Sequence, residues 1–301
     1  MITAGEIMKR LLFVMLCALL GTAAVANAHS VWINNFHCDA HKPGHAMVSV
    51  GWGHAMPMDD IPNSPNGKII LDRFELIDPA GKSHALKTPS VEPSKASLTT
   101  ADFDVFPGDL AVQKVALKKE TKRGVYLFSA VSKPTFYTQY LDKKGRQRLK
   151  LKPRNEIKDI DKVLMAVKFQ AFAKSYMTVG EWAQPKPVGH GLEIVPLTDL
   201  SNVRVGDLVQ VEVLFYGKPL SATAKSIDYI TASSPGFGQS EGYSMCSYIM
   251  NGKAQFRVKN AGQWMIAVNH KDDVTKDGPL KDLYGKAEQV YHAASLTFVA
   301  K

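Results

Sequence analysis

Apolar and polar residues alternate with a period of two through most of this chain, the spacing that sets one face of a β-strand against a core. Residues 46–52 (AMVSVGW) show it, as do residues 68–77 (KIILDRFELI), which run into the turn Asp78-Pro79-Ala80-Gly81. Residues 110–117 and 124–131 (GVYLFSAV) follow at strand-like spacing, and 136–141 is rich in the aromatic residues that favour extended backbone. One segment departs from the pattern. Residues 155–179 (NEIKDIDKVLMAVKFQAFAKSYMTV) contain few breakers and set Ile160, Val163, Leu164, Val167 and Phe172 at roughly helical spacing, which predicts a helix ended by Gly180. The Pro/Gly-rich stretch 184–191 (QPKPVGHG) then marks a domain boundary. Beyond it, strands are expected at 192–196, 208–216 (LVQVEVLFY), 224–232, 255–258, 263–270 and 288–299. The expected fold class is mostly β: two β-sandwich, immunoglobulin-like domains, 29–185 and 186–301, with one helix near the end of the first.

The N-terminus stands outside this plan. Lys9 and Arg10 precede a ten-residue apolar run, 11–20, and small residues lead to Ala26-Asn27-Ala28, an A-x-A cleavage site. The run is short for a bilayer span. Residues 1–28 therefore read as a secretory signal peptide, which makes the mature protein periplasmic and His29 its first residue. The formal charge of the chain is +9, and loss of Glu6, Lys9 and Arg10 with the signal lowers it by one. Much of the excess sits in residues 143–158 (KKGRQRLKLKPRNEIK), a basic run without the aromatic residues that would stack on bases. That composition describes a solvated hairpin or loop better than a nucleic-acid site. Cys17 leaves with the signal, and Cys38 with Cys246 remain in an oxidising compartment, where either a bridge or two thiols is compatible with the sequence.

Candidate chemistry concentrates near the mature start. Five of the nine histidines fall within residues 29–54: His29, His37, His41, His45 and His54. Cys38 and Asp39 share the window, and Met56, Asp59 and Asp60 follow in GHAMPMDD. Neutral imidazole donates to nickel, cobalt, copper and zinc alike. Cleavage before His29 adds a donor, because its α-amine and its own imidazole chelate one ion, and an α-amine of ordinary pKa deprotonates at modest cost when metal binds. The expected metal ligands are His29, then His54 on a shaped Gly/Pro loop, with His37 or a carboxylate completing the set. His84, His190, His270 and His292 are expected in neutral or solvent roles. No Gly-rich phosphate loop, nucleophile elbow or HExxH helix is present, so the sequence offers no hydrolytic machinery and the protein reads as a non-enzyme.

Several runs resemble domain-of-unknown-function family 4198: AHSVW (28–32), GWGHAMPMDD (51–60), GLEIVP (191–196), VGDLVQVEVLFYGKPL (205–220) and GQWMIAVNH (262–270). That resemblance implies a periplasmic component of a nickel or cobalt uptake system, with a membrane transporter of ABC or energy-coupling type as partner and no nucleic acid. It touches the site only at His29 and at His54 with its G-W-G-H surroundings. Two other readings stay open. A histidine at the start of a β-sandwich also suits a copper carrier or an oxidative copper enzyme, and tandem sandwiches also bind envelope partners or glycans without metal.

Overall fold

The computed structural model describes residues 29–65, 67–221, 228–239 and 242–301. The expected signal peptide lies outside these. In chain order the strands begin with β1 (Ser30–Cys38), β2 (His45–Gly53), β3 (Asn63–Ser64), β4 (Gly67–Lys68), β5 (Leu71–Ile77), β6 (Ser83–Ala85), β7 (Leu98–Thr99) and β8 (Asp104–Val105). They continue with β9 (Gln113–Ala116), β10 (Gly124–Ser132), β11 (Thr135–Asp142), β12 (Gln147–Lys150), β13 (Ile160–Val179), β14 (Leu192–Pro196) and β15 (Leu208–Phe215). The last are β16 (Lys218–Pro219), β17 (Tyr229–Ser233), β18 (Met245–Tyr248), β19 (Lys253–Arg257), β20 (Gly262–Asp273) and β21 (Gln289–Ala300). Helical structure among the described residues is confined to short 3-10 turns, and no helix there is long and apolar enough to cross a membrane.

Three of the sheets stack as layers. A three-stranded sheet, β1-β2-β9, covers one face of a ten-stranded sheet ordered β18-β17-β20-β21-β13-β10-β5-β6, from which β11 and β12 continue beside the first half of β13. A four-stranded sheet of β14, β15, β16 and β19 covers the other face. The layering follows from alternation along the central strands. On β13, Ala171 and Ala173 join Val31, Ile33, Val48 and Val50 in one core, while Phe172 joins Leu192, Ile194, Val209 and Val211 in the other. β21 divides likewise, with Ala293 on the first side and Leu296 and Phe298 on the second. Alanines beneath β1 let it approach so closely that Ser295 Oγ donates to the Val31 carbonyl at 2.6 Å and Thr297 Oγ1 to that of Ile33.

The helix expected over 155–179 is corrected to β13, a strand of 20 residues. Two β-bulges explain the false helical spacing. Across from β11, Asp142 faces Ile160, Tyr140 faces Val163 and Thr138 faces Ala166, and the pairing slips by one residue between each step. An extra residue in each step stretches the side-chain period from two to three, which mimics one face of a helix. The second half, Ala171–Ser175, is buried on both faces and shows no alternation at all. This long strand also changes the expected organisation. Instead of two sandwiches, each with its own pair of sheets, the halves before and after residue 185 share the central sheet, because β13 runs parallel to β21 from Val167 to Ser175. β1 carries no alternation either, since Val31 to Asn34 are all buried, and its strand was not legible in the sequence.

A buried ion pair fastens the inter-half segment to this sheet. Lys174 on β13 and Glu193 on β14 are each 1% exposed, and Lys174 Nζ donates to Glu193 Oε1 at 2.8 Å. The backbone N–H groups of Val188, Gly189 and His190 donate to the same carboxylate at 2.8, 3.0 and 3.2 Å. Burial opposes charge on both partners, but their attraction and hydrogen bonds outweigh it, holding Glu193 below and Lys174 above their ordinary ranges. Cys38 and Cys246 are unpaired thiols, one at the end of β1 and the other on the edge strand β18.

Candidate metal centre

The strand register brings two of the expected ligands together. β1 pairs antiparallel with β2 so that Ser30 faces Gly53 and Val31 faces Trp52, which carries His29 and His54 to adjacent positions just beyond the ladder. The His29 ring stacks on Trp52 with centroids 5.0 Å apart and planes 20° from parallel. The His54 ring lies 4.2 Å from that of His29, tilted by 47°. Trp52 is itself buried, so it forms a fixed floor under an exposed imidazole.

The loop after β2 is shaped by its smallest residue. Gly53 has φ +128°, and a Cβ there would lie 2.4 Å from Asp59 Oδ2, so neither the backbone nor the space admits a larger residue. Asp59 uses that approach to hold His54 twice. Its Oδ2 accepts the His54 backbone N–H at 2.6 Å and sits 3.2 Å from Nδ1. A neighbouring bond, from Asp60 N–H to the Trp52 carbonyl at 3.0 Å, closes the loop. On its inner side the Pro57 carbonyl accepts from Asn34 Nδ2 at 2.9 Å and Trp32 Nε1 at 3.3 Å, and Gln263 Nε2 donates to Asn34 Oδ1 at 2.9 Å. Gly51 belongs to the same packing, because a Cβ there would lie 2.0 Å from Trp32 Nε1.

His37 does not join them. It lies eight residues along the same extended strand, about 26 Å away, where its Nε2 sits 3.7 Å from Asp39 Oδ1. Its expected place in the set is therefore corrected: a β-strand separates residues that a loop would have let converge. His41 and His45 belong to that far turn as well, with His45 paired opposite Cys38. Met56 is buried with Trp32 and Met265. Among the described residues no group of three or more His, Cys, Asp or Glu side chains is arranged to hold a metal.

The chain belongs to the DUF4198 family. The family's model, a domain of unknown function, matches residues 26–272, a span that includes the whole His29–Asp59 constellation. No curated protein matches this chain.

Three histidines assigned neutral or solvent roles turn out to be buried in the contact between the central and four-stranded sheets. His190 and His292 flank Phe172 at 5.1 and 5.6 Å, both nearly parallel to it. His190 Nε2 lies 3.0 Å from Ser129 Oγ, His292 Nε2 lies 3.1 Å from the Tyr216 hydroxyl, and His270 Nδ1 lies 3.0 Å from Asp228 Oδ1. Of the four histidines expected in such roles, His84 sits at the surface, against Asp78. Burial lowers His190 to about 4, with Lys174 adding repulsion, and lowers His292 to about 4, with Lys168 and His270 adding to it. Both side chains are neutral in the fold, whereas the unfolded chain takes up their protons below its ordinary histidine pKa. The stabilisation is therefore complete above about pH 6.5 and is lost as pH falls towards 4, by about 3 kcal/mol for each histidine. Urea unfolding at pH 7 and at the acid end of that window should show the loss, and His292→Phe should remove a large part of it. Equal stabilities at the two pH values would contradict the assignment.

Proposed function

We propose that the mature protein is a periplasmic carrier for a divalent transition metal, bound through its N-terminal histidine and presented to a membrane uptake transporter. The observation that carries this reading is the 4.2 Å approach of the His29 and His54 rings, both exposed. The α-amine and imidazole of His29 with the imidazole of His54 give three nitrogen donors, a set suited to the tetragonal preferences of nickel(II) and copper(II). Asp59 supports it in the manner of an outer-shell carboxylate: accepting Nδ1–H of His54 leaves Nε2 as the ligating nitrogen and fixes the ring's orientation. Three ligands on a solvent-facing edge leave positions for an exchanging ligand, which suits release to a partner better than permanent storage. Nickel or cobalt is the cargo the family resemblance implies. Copper is the second reading, favoured by the same three nitrogens because copper(II) heads the affinity order for such sites.

Asp59→Asn tests the geometry with little disturbance, since the amide oxygen still accepts the His54 backbone N–H. Calorimetric titration of nickel and copper into a protein beginning at His29 should show affinity reduced about 10–100-fold by this change. An unchanged titration would remove Asp59 from the site.

A further inference from the structure

The projecting end of the central sheet has a chemistry that metal carriage does not use. β11, β12 and the first residues of β13 form a three-stranded flap that extends past the start of β21, with β12 as its outer edge. Lys143, Lys144, Arg146, Arg148, Lys150 and Lys152 are all exposed along its turn and edge. Of the acidic groups beside them, Asp159 lies 4.0 Å from Lys150 Nζ, Asp161 is exposed on β13, and Asp142 is turned inward. The Asp142 carboxylate is buried and accepts from the backbone N–H groups of Lys144 and Arg146 and from the Arg146 and Arg148 guanidinium groups, so its charge is spent within the turn. Lysine on an edge strand is by itself a guard against pairing with other chains. It does not account for what lies beside it. Leu149 and Leu151 are 58% and 64% exposed, and Leu164 and Met165 are 42% and 38% exposed. Register places Leu149 and Met165 opposite Gln139 from its two sides, so apolar side chains of β12 and β13 share one face of the flap with that glutamine between them.

Exposed leucines inside a basic border are the combination that recognises a charged bilayer surface. The cations are drawn to anionic headgroups, the apolar side chains enter the headgroup boundary, and lysine and arginine stems are long enough to keep their charges at the phosphates from either face of the edge. We propose that the β11–β12–β13 flap seats the protein on an anionic phospholipid surface. The assignment is independent of the metal reading, since the flap residues are none of those that surround His29. An acidic protein surface would satisfy the lysines alone, whereas the leucines favour lipid.

Flotation of the protein beginning at His29 with vesicles of phosphatidylglycerol and phosphatidylcholine, against vesicles of phosphatidylcholine alone, tests it at an ionic strength of about 0.15 M. Binding to the anionic vesicles only is expected. Lys143→Glu with Lys144→Glu should lower partitioning by about tenfold or more, and Leu149→Ser with Leu151→Ser should weaken it comparably. All four side chains are exposed, so each pair of changes should leave the thermal transition in place, and either pair alone suffices should the other fail to fold. Failure to float, equal binding to neutral vesicles, or full binding by the leucine variant would overturn the proposal. Retention by native membrane vesicles without binding to protein-free lipid would overturn it too and assign the flap to a protein partner.

Discussion

Replacing Lys174 with methionine is expected to destabilise the fold by about 3–5 kcal/mol, the cost of leaving a buried carboxylate without its cation. Lys174 and Glu193 are almost wholly enclosed, and Glu193 also gathers three backbone N–H groups from residues 188–190. The pair therefore does more than neutralise itself: it pins the segment between the halves against the central sheet. Those donors still favour its ionised form, but Lys174 is the larger influence, and its loss leaves burial to oppose the charge. Adding Glu193→Gln to Lys174→Met should recover much of the loss, since the orphaned charge is gone and the one amide oxygen can still accept from Gly189 and His190, which share a carboxylate oxygen. Urea unfolding at neutral pH of the parent, the single and the double variant measures this directly. A single variant as stable as the parent would mean that the pair is solvated and carries no such role.

His54→Ala should weaken nickel and copper binding by roughly a hundredfold or more, about 3 kcal/mol. The side chain is 43% exposed, so its removal leaves no cavity and the fold should be unaffected. The amine and imidazole of His29 would remain as a weak chelate without the ring that stands 4.2 Å away. His37→Ala, by contrast, should leave affinity unchanged, because the extended β1 strand holds it far from His29. Titration of the two variants in parallel separates a defined centre from diffuse binding to a histidine-rich segment. Equal losses in both would favour the diffuse case.

Much of the sheet structure was legible in the residues, and the exceptions have physical causes. Segments with one buried face, such as 208–216, alternate cleanly and became β15 within a residue at one end. Segments buried on both faces do not alternate, which hid β1 and the second half of β13. Bulges opposite β11 then lent the first half of β13 a helical spacing. The boundary at 184–191 is a real break in regular structure, yet the sheet crosses it through the β13–β21 pairing, a contact between residues more than a hundred positions apart that no local pattern encodes. At the candidate site, His29 and His54 were readable from clustering and from the expected cleavage point. The hold of Asp59 on His54, and the floor provided by Trp52, depend on the φ of Gly53 and on strand register and emerge only from the fold. Neutral or solvent roles were expected for His190, His270 and His292, and nothing in the sequence around them decides for the core position that the fold gives them.

In the proposed site the metal is held through the His29 amine, and one comparison tests this. Nickel and copper are titrated calorimetrically into a protein that begins at His29 and into the same protein with one alanine ahead of it. The fold and both imidazoles are common to the two, whereas the His29 nitrogen is an amine in the first and a peptide amide in the second, its amine moved to the added alanine. Tight one-to-one binding by the first, weakened by an order of magnitude or more (about 1.4 kcal/mol upward) in the second, is the predicted result. Equal affinities, or no binding by either, would contradict it.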